Sequence, residues 1–324
     1  MIDISDIQRA AERLQGNVVR TPLIESDWLN NQLDGRVLFK AECLQRTGSF
    51  KIRGATSKLA SLDEDQRRRG VIAYSSGNHA QGVAAAAKML GINAKIVIPR
   101  DAPELKLANT RAYGASVVLY ERETEDREAI TDDIARKEGL TIIPPYDDEL
   151  VIAGQGTVGL EIMQQLQQDS ISADAILAPC GGGGLIAGTA TAIKPVMPDI
   201  EIFAVEPEGF DDTRRSLLAG ERQANAPGAS SICDAIVTPT PGELTFEINR
   251  KLLAGGFAVS DEAVIEAMTQ AFTRLKLVVE PGGVVGLAAL LCGAFPLNGK
   301  TAVVILSGGN MDIQSLAKFQ KLVN

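Results

Sequence analysis

Short apolar runs alternate with longer amphipathic stretches over most of this chain. Val37–Ala41, Val71–Tyr74, Ala94–Ile98 and Ser116–Leu119 are short and bounded by turn formers, and they predict strands. Phe50–Leu62, Val83–Leu90 and Glu104–Tyr113 lie between them with helical patterns. The alternation resumes after Gln155, with strands predicted near Ala175–Ala178, Glu201–Val205 and Thr301–Leu306. This order predicts the α/β class, with parallel sheets covered by helices. Ile143-Pro144-Pro145-Tyr146-Asp147-Asp148 is the best candidate boundary between two units.

Composition narrows the function classes. The chain has 324 residues, 45% hydrophobic and 23% charged, which is ordinary for a soluble globular enzyme. The net charge is −9 with both signs mixed and no basic block, so nucleic-acid binding is not expected. Cys43, Cys180, Cys233 and Cys292 are widely spaced and contain no CxxC pair, which predicts free thiols in a reducing compartment. No apolar run approaches spanning length, and Met1–Gln15 lacks the apolar stretch of a signal peptide. A cytoplasmic location with no membrane partner is the expectation.

Four segments carry chemistry. The first is Thr47-Gly48-Ser49-Phe50-Lys51-Ile52-Arg53-Gly54-Ala55, where one lysine sits in a small-residue turn entering an apolar helix start. A desolvated lysine loses its proton readily, and the neutral amine can form a Schiff base. The second is Ser75-Ser76-Gly77-Asn78-His79-Ala80-Gln81-Gly82, between a strand and a helix, where free N–H groups suit a carboxylate. The third is Pro179-Cys180-Gly181-Gly182-Gly183-Gly184-Leu185, whose four glycines let backbone approach a phosphate at a helix N-terminus. Gly182-x-Gly184-x-x-Ala187 with Glu206 further on also fits a dinucleotide fingerprint, so a nicotinamide oxidoreductase stays open on that segment alone. The fourth is Val303–Leu306 followed by Ser307-Gly308-Gly309-Asn310, a strand delivering a serine to a sheet's carboxyl edge.

Together these segments resemble the pyridoxal-phosphate enzymes of the tryptophan-synthase-β fold (fold type II), and most of all the serine/threonine dehydratase and serine racemase branch. The resemblance spans residues 47 to 310. It implies two open twisted sheets with the cofactor in an inter-domain cleft. Residues 1–48 and 146–324 would form a large domain, and 49–145 a small inserted one. It implies that Lys51 and Phe50 hold the cofactor and that Gly181, Gly182, Gly183, Gly184 and Leu185 cradle its phosphate. Asn78 would bond its ring hydroxyl and Ser307 its pyridine nitrogen. Ser75, Ser76, Asn78 and His79 would line the substrate carboxylate site, with His79 shaping the turn. A homodimer is implied, and the absence of an extra C-terminal segment predicts no feedback by isoleucine.

The implied reaction is β-elimination of a β-hydroxy-α-amino acid to a 2-oxo acid and ammonia, with L-serine or L-threonine expected as substrate. A neutral Ser307 at the ring nitrogen favours loss of a β-leaving group over transamination. Threo-3-hydroxyaspartate dehydratase is the next reading, since Arg127, if it points inward, could hold a β-carboxylate. Serine racemase is the third, with Ser76 as acid/base opposite Lys51. Thr240 is a weaker candidate for a substrate contact. Glu280 is either part of the polar network under the ring or a helix N-terminal acid. Glu206, the Phe210 carbonyl and Asp212 match the branch's divalent-cation site, for Mg²⁺ or alternatively Mn²⁺ or Ca²⁺. A solvated acidic loop is the plain alternative. A binding protein that holds the cofactor without turnover also remains open.

Overall fold

The computed structural model describes residues 2–75, 77–102, 104–121, 123–312, 314, 315 and 317. Ser76 therefore lies outside the described residues.

The first half runs α1 (Ile4–Leu14), β1 (Leu23–Glu25), α2 (Asp27–Gln32), β2 (Arg36–Ala41), α3 (Lys51–Ala60), α4 (Glu64–Arg69), β3 (Val71–Tyr74), α5 (Asn78–Leu90), β4 (Ala94–Pro99), α6 (Glu104–Ala112), β5 (Ser116–Tyr120), α7 (Arg127–Glu138) and β6 (Thr141–Ile142). The second runs α8 (Glu149–Gln168), β7 (Ala175–Pro179), α9 (Gly184–Ile193), β8 (Glu201–Pro207), α10 (Asp212–Ala219), α11 (Glu243–Leu252), β9 (Gly255–Val259), α12 (Asp261–Gln270), α13 (Pro281–Leu291) and β10 (Thr301–Leu306). These form a six-stranded sheet ordered β1-β2-β10-β7-β8-β9 and a four-stranded sheet ordered β5-β4-β3-β6. Every pairing is parallel except β1 with β2. The α/β class with two open sheets is as expected.

The six-stranded sheet is buried on both faces, which explains why its strands read as unbroken apolar runs. Val37, Phe39, Ala302, Val304 and Leu306 pack on one side. Leu38, Ile176, Val303 and Ile305 pack on the other. Lys40 breaks the pattern. It is fully buried, and its Nζ reaches Glu161 Oε2 at 2.7 Å.

One helix boundary differs from the sequence expectation. α5 begins at Asn78, not Val83. Polar Asn78, His79 and Gln81 masked the helical pattern there, although their side chains are stabilised as first-turn groups. The glycine turn behaves as its composition demands. Gly183 has φ +89°, a left-handed conformation that glycine adopts without strain.

Strand order positions the site. β10, last in sequence, lies between β2 and β7. Its carboxyl end therefore sits beside the ends of the strands that lead to Lys51 and to the glycine turn. An isolated antiparallel bridge, Ser49 with Gly308, ties the first segment to the fourth.

Candidate active site

A cleft of about 180 Å³ is lined by Phe50, Lys51, Ser75, Asn78 and His79 from one side and by Gly181–Leu185, Glu280 and Ser307 from the other. All four sequence segments meet there. Arg127 also lines it, together with Tyr74, Tyr146 and Thr238, which sequence reasoning had not singled out. Nothing in local pattern marks those three, because each is brought in by tertiary packing.

Lys51 is the first residue of α3. Its Nζ donates to the Pro145 carbonyl at 2.8 Å and lies 5.2 Å from the Phe50 ring centroid. Burial lowers its pKa from 10.5 to about 8. No carboxylate offsets that burial, so the amine loses its proton more readily than an ordinary lysine and is available as a nucleophile.

His79 is buried, and its Nε2 lies 2.8 Å from the Ile143 carbonyl. A carbonyl only accepts, so Nε2 carries the proton and donates. Burial, then the nearby Lys51 charge, lowers the His79 pKa to about 3, so the ring stays neutral. Such a ring tethers the start of α5 and is a poor proton acceptor.

Asn78 Nδ2 donates to Glu280 Oε1 at 2.6 Å, and Asn310 Nδ2 donates to Asn78 Oδ1 at 2.7 Å. Glu280 stands at the N-cap position of α13, so it occupies both places considered for it. Ser75 Oγ accepts from the Gly77 N–H at 3.1 Å. Ser307 follows β10 and is buried.

The glycine turn is a cradle by exclusion. A Cβ at Gly182 would collide with the Tyr146 ring, and one at Gly183 would lie 2.8 Å from Asn249 Nδ2. The first-turn N–H groups of α9 then face an anion without side chains intervening.

Arg127 opens α7 at the mouth of the cleft, with its guanidinium carbon 5.2 Å from the Tyr74 ring centroid. Thr240 is not brought to the cleft lining. Its hydroxyl donates to the Gln223 carbonyl at 3.3 Å.

Glu206 and Asp212 lie apart from this cleft lining and are both buried. Glu206 accepts from the Thr213 and Arg214 N–H groups at 2.9 and 2.8 Å. Burial first, then the Asp212 charge, raises Glu206 to about 8. Burial likewise raises Asp212 to about 6, although the Asn225 amide bonds its Oδ1. Asp212 Oδ2 is buried without a partner among the described residues. No cluster of three or more His, Cys, Asp or Glu side chains gathers as a metal site among the described residues.

Comparison with known proteins agrees with this arrangement. Residues 14–308 match the family described as "Pyridoxal-phosphate dependent enzyme". The chain is 44% identical to an L-threo-3-hydroxyaspartate ammonia-lyase of a Pseudomonas species over 98% of both chains. It is 40% identical to the serine racemase of Schizosaccharomyces pombe over 97% of this chain and 96% of that one. A solved bacterial-type threonine deaminase, from the source abbreviated T.th., superposes with a TM-score of 0.91 at 45% identity, covering 96% of this chain and 99% of that one. The chain belongs to the pyridoxal-phosphate dependent enzymes of fold type II, in the branch of threonine dehydratases, serine racemases and hydroxyaspartate ammonia-lyases.

Proposed function

We propose that this protein is an ammonia-lyase that removes water and ammonia from a β-hydroxy-α-amino acid, with threo-3-hydroxyaspartate its preferred substrate. The observation that carries the reaction is the Lys51 amine, with its pKa lowered to about 8, in a cleft shared with an anion cradle and Ser307. The observation that orders the substrates is Arg127 at the mouth of that cleft. A guanidinium can pair with a planar carboxylate at two points, and neither serine nor threonine offers a second carboxylate. L-Serine or L-threonine is the second reading, favoured by the likeness to a threonine deaminase. Racemisation would need Ser76 as a second acid/base.

The residues fit pyridoxal phosphate. Gly181–Leu185 would hold its phosphate, since side-chain-free backbone at a helix N-terminus is what an anion requires. Phe50 and Lys51 would flank it, with Asn78 at the ring hydroxyl and Ser307 at the ring nitrogen. When bound, the cofactor supplies the electron sink for negative charge at Cα.

The chain's own groups supply the rest. Lys51, neutral in a substantial fraction near pH 8, accepts the Cα proton. Ser75, Ser76 and the first-turn N–H groups of α5 hold the α-carboxylate, and His79 keeps that turn in place. Ser307 offers a hydroxyl where a carboxylate would keep the ring nitrogen protonated. Charge at Cα is then relieved by expelling the β-hydroxyl. The released enamine hydrolyses to the 2-oxo acid and ammonia.

We also place the domain division at 1–48 and 146–324 against 49–145. Its support is that β3 to β6 all lie between Val71 and Ile142. A cytoplasmic homodimer completes the reading. The four cysteines are free, and exposed Trp28, Phe272 and Val278 are apolar surface that a second copy would cover. Among the described residues no helix is long and apolar enough to cross a membrane.

Glu206, the Phe210 carbonyl and Asp212 would hold Mg²⁺, since two buried carboxylates with raised pKa values and an unpartnered oxygen call for a cation. Saturating Mg²⁺ is expected to raise the thermal midpoint by about 3–6 °C. Glu206→Gln should lose that rise. An equal rise in the variant would remove Glu206 from the site.

The test of function is 2-oxo acid formation from L-serine, L-threonine and both threo-3-hydroxyaspartate enantiomers. One hydroxyaspartate enantiomer should yield oxaloacetate with kcat/KM at least about tenfold above L-serine, about the discrimination of a charge-assisted contact at an exposed site. Preference for serine or threonine would move those substrates to first place. Racemisation of serine with no 2-oxo acid would overturn the elimination itself.

A further inference from the structure

Tyr74 ends β3, one residue before Ser75, and its side chain reaches the mouth of the cleft. The ring lies against Arg127, whose guanidinium carbon is 5.2 Å from the ring centroid. The hydroxyl bonds the carboxylate of Glu128, the next residue of α7. Burial, then the Glu128 charge, raises the phenol to about 12, so it keeps its proton and donates.

The first turn of α7 is itself fixed. The Asp126 side chain accepts from the Glu128 and Ala129 N–H groups at 2.8 and 3.3 Å. Tyr74 is therefore gripped at two points, on its face by Arg127 and at its hydroxyl by Glu128. The grip is reciprocal. Arg127 is exposed, and a long exposed side chain otherwise spreads over many rotamers. A cation held on an aromatic face keeps the N–H groups at its edge available. That edge is what a planar carboxylate requires.

We propose that Tyr74 is a specificity-determining positioning residue: by stacking on Arg127 it holds the guanidinium edge ready for the second carboxylate of a dicarboxylic amino-acid substrate. This rests on the hydroxyaspartate reading above. Tyr74 acts through Arg127 and takes no part in proton transfer. Its removal therefore weakens recognition of one substrate class and spares the chemical step.

The test uses the holoenzyme and its Tyr74→Leu, Tyr74→Phe and Arg127→Met variants. KM and kcat are measured with threo-3-hydroxyaspartate and L-serine, and succinate binding by calorimetry. Tyr74→Leu should raise the hydroxyaspartate KM and weaken succinate about fivefold, while serine kcat/KM changes less than about twofold. Tyr74→Phe keeps the ring and should restore most of the affinity. Arg127→Met should lose more than either. Equal losses on both substrates in Tyr74→Leu, or an unchanged ratio while Arg127→Met shifts it, would overturn the role of Tyr74 and leave the substrate reading standing. A wild-type enzyme that shows no hydroxyaspartate preference and is indifferent to Arg127→Met would overturn the substrate reading, and this proposal with it.

Discussion

Lys51→Ala is expected to lower kcat by more than about 10³-fold, to below detection in a 2-oxo acid assay. Lys51 is the group placed to hold the cofactor and to move the Cα proton, and no neighbouring base is available to substitute. His79, the chain's single histidine, is kept neutral and spends its N–H on the Ile143 carbonyl. Mass spectrometry after borohydride reduction should find the pyridoxyl group on the peptide containing Lys51 in the native chain and nowhere in the variant. A second measurement uses the sign of the shift. Burial lowers the Lys51 pKa from 10.5 to about 8, so the reactive neutral amine grows as pH rises through 8. Cofactor uptake by the cofactor-free protein should accelerate through that pH and level off above it. Full activity in Lys51→Ala, or uptake that climbs steadily up to about pH 10, would show that the amine is not the buried nucleophile described.

The site was legible where its chemistry is written locally. The glycine turn shows in sequence because a left-handed Gly183 and a crowded Gly182 tolerate little else. Lys51 shows because a helix start of small residues leaves a lysine no obvious surface use. The strands of the larger sheet show because burial on both faces removes polar alternation. What was not legible is what the fold assembles from afar. Tyr74 looked like the end of a strand, and only its contact with Arg127 gives it a role. Thr240 looked like a possible contact, while Thr238 two residues earlier is the one that reaches the cleft. Asn78 was read as part of a loop, since polar residues in a first helical turn carry no apolar period. The substrate order changed for the same reason, because the direction in which Arg127 points is a tertiary fact.

Arg53→Met is expected to cost about 3–5 kcal/mol of stability and to lower the thermal midpoint by about 5–10 °C. In sequence Arg53 was only a charge inside the lysine segment. In the fold it is fully buried, two positions along α3 from Lys51. Its Nε and Nη2 donate to Glu42 at 2.8 Å, and its Nη1 and Nη2 donate to Glu161 at 2.7 and 2.9 Å. Thr157 Oγ1 and the Val19 carbonyl accept two more bonds, at 3.1 and 3.2 Å. Burial opposes the charge on Arg53, but Glu42 and Glu161 outweigh it and raise its pKa. Methionine would fill the volume but strand Glu42, a fully buried carboxylate that Lys40 does not bond directly. The penalty is chiefly that uncompensated charge, so adding Glu42→Gln to Arg53→Met should recover part of the loss. The comparison is Arg36→Ala, which breaks the Arg36–Glu25 pair at 2.8 Å. That pair is partly solvated, with side chains 43% and 32% exposed, so its loss should cost under about 1 kcal/mol. Scanning calorimetry of the four proteins decides between these mechanisms. If the double variant is no more stable than Arg53→Met, the cost is the hole left by the guanidinium fork and its lost bonds. If it recovers, the cluster holds α3 in place through matched charge, and Lys51 inherits its position from it.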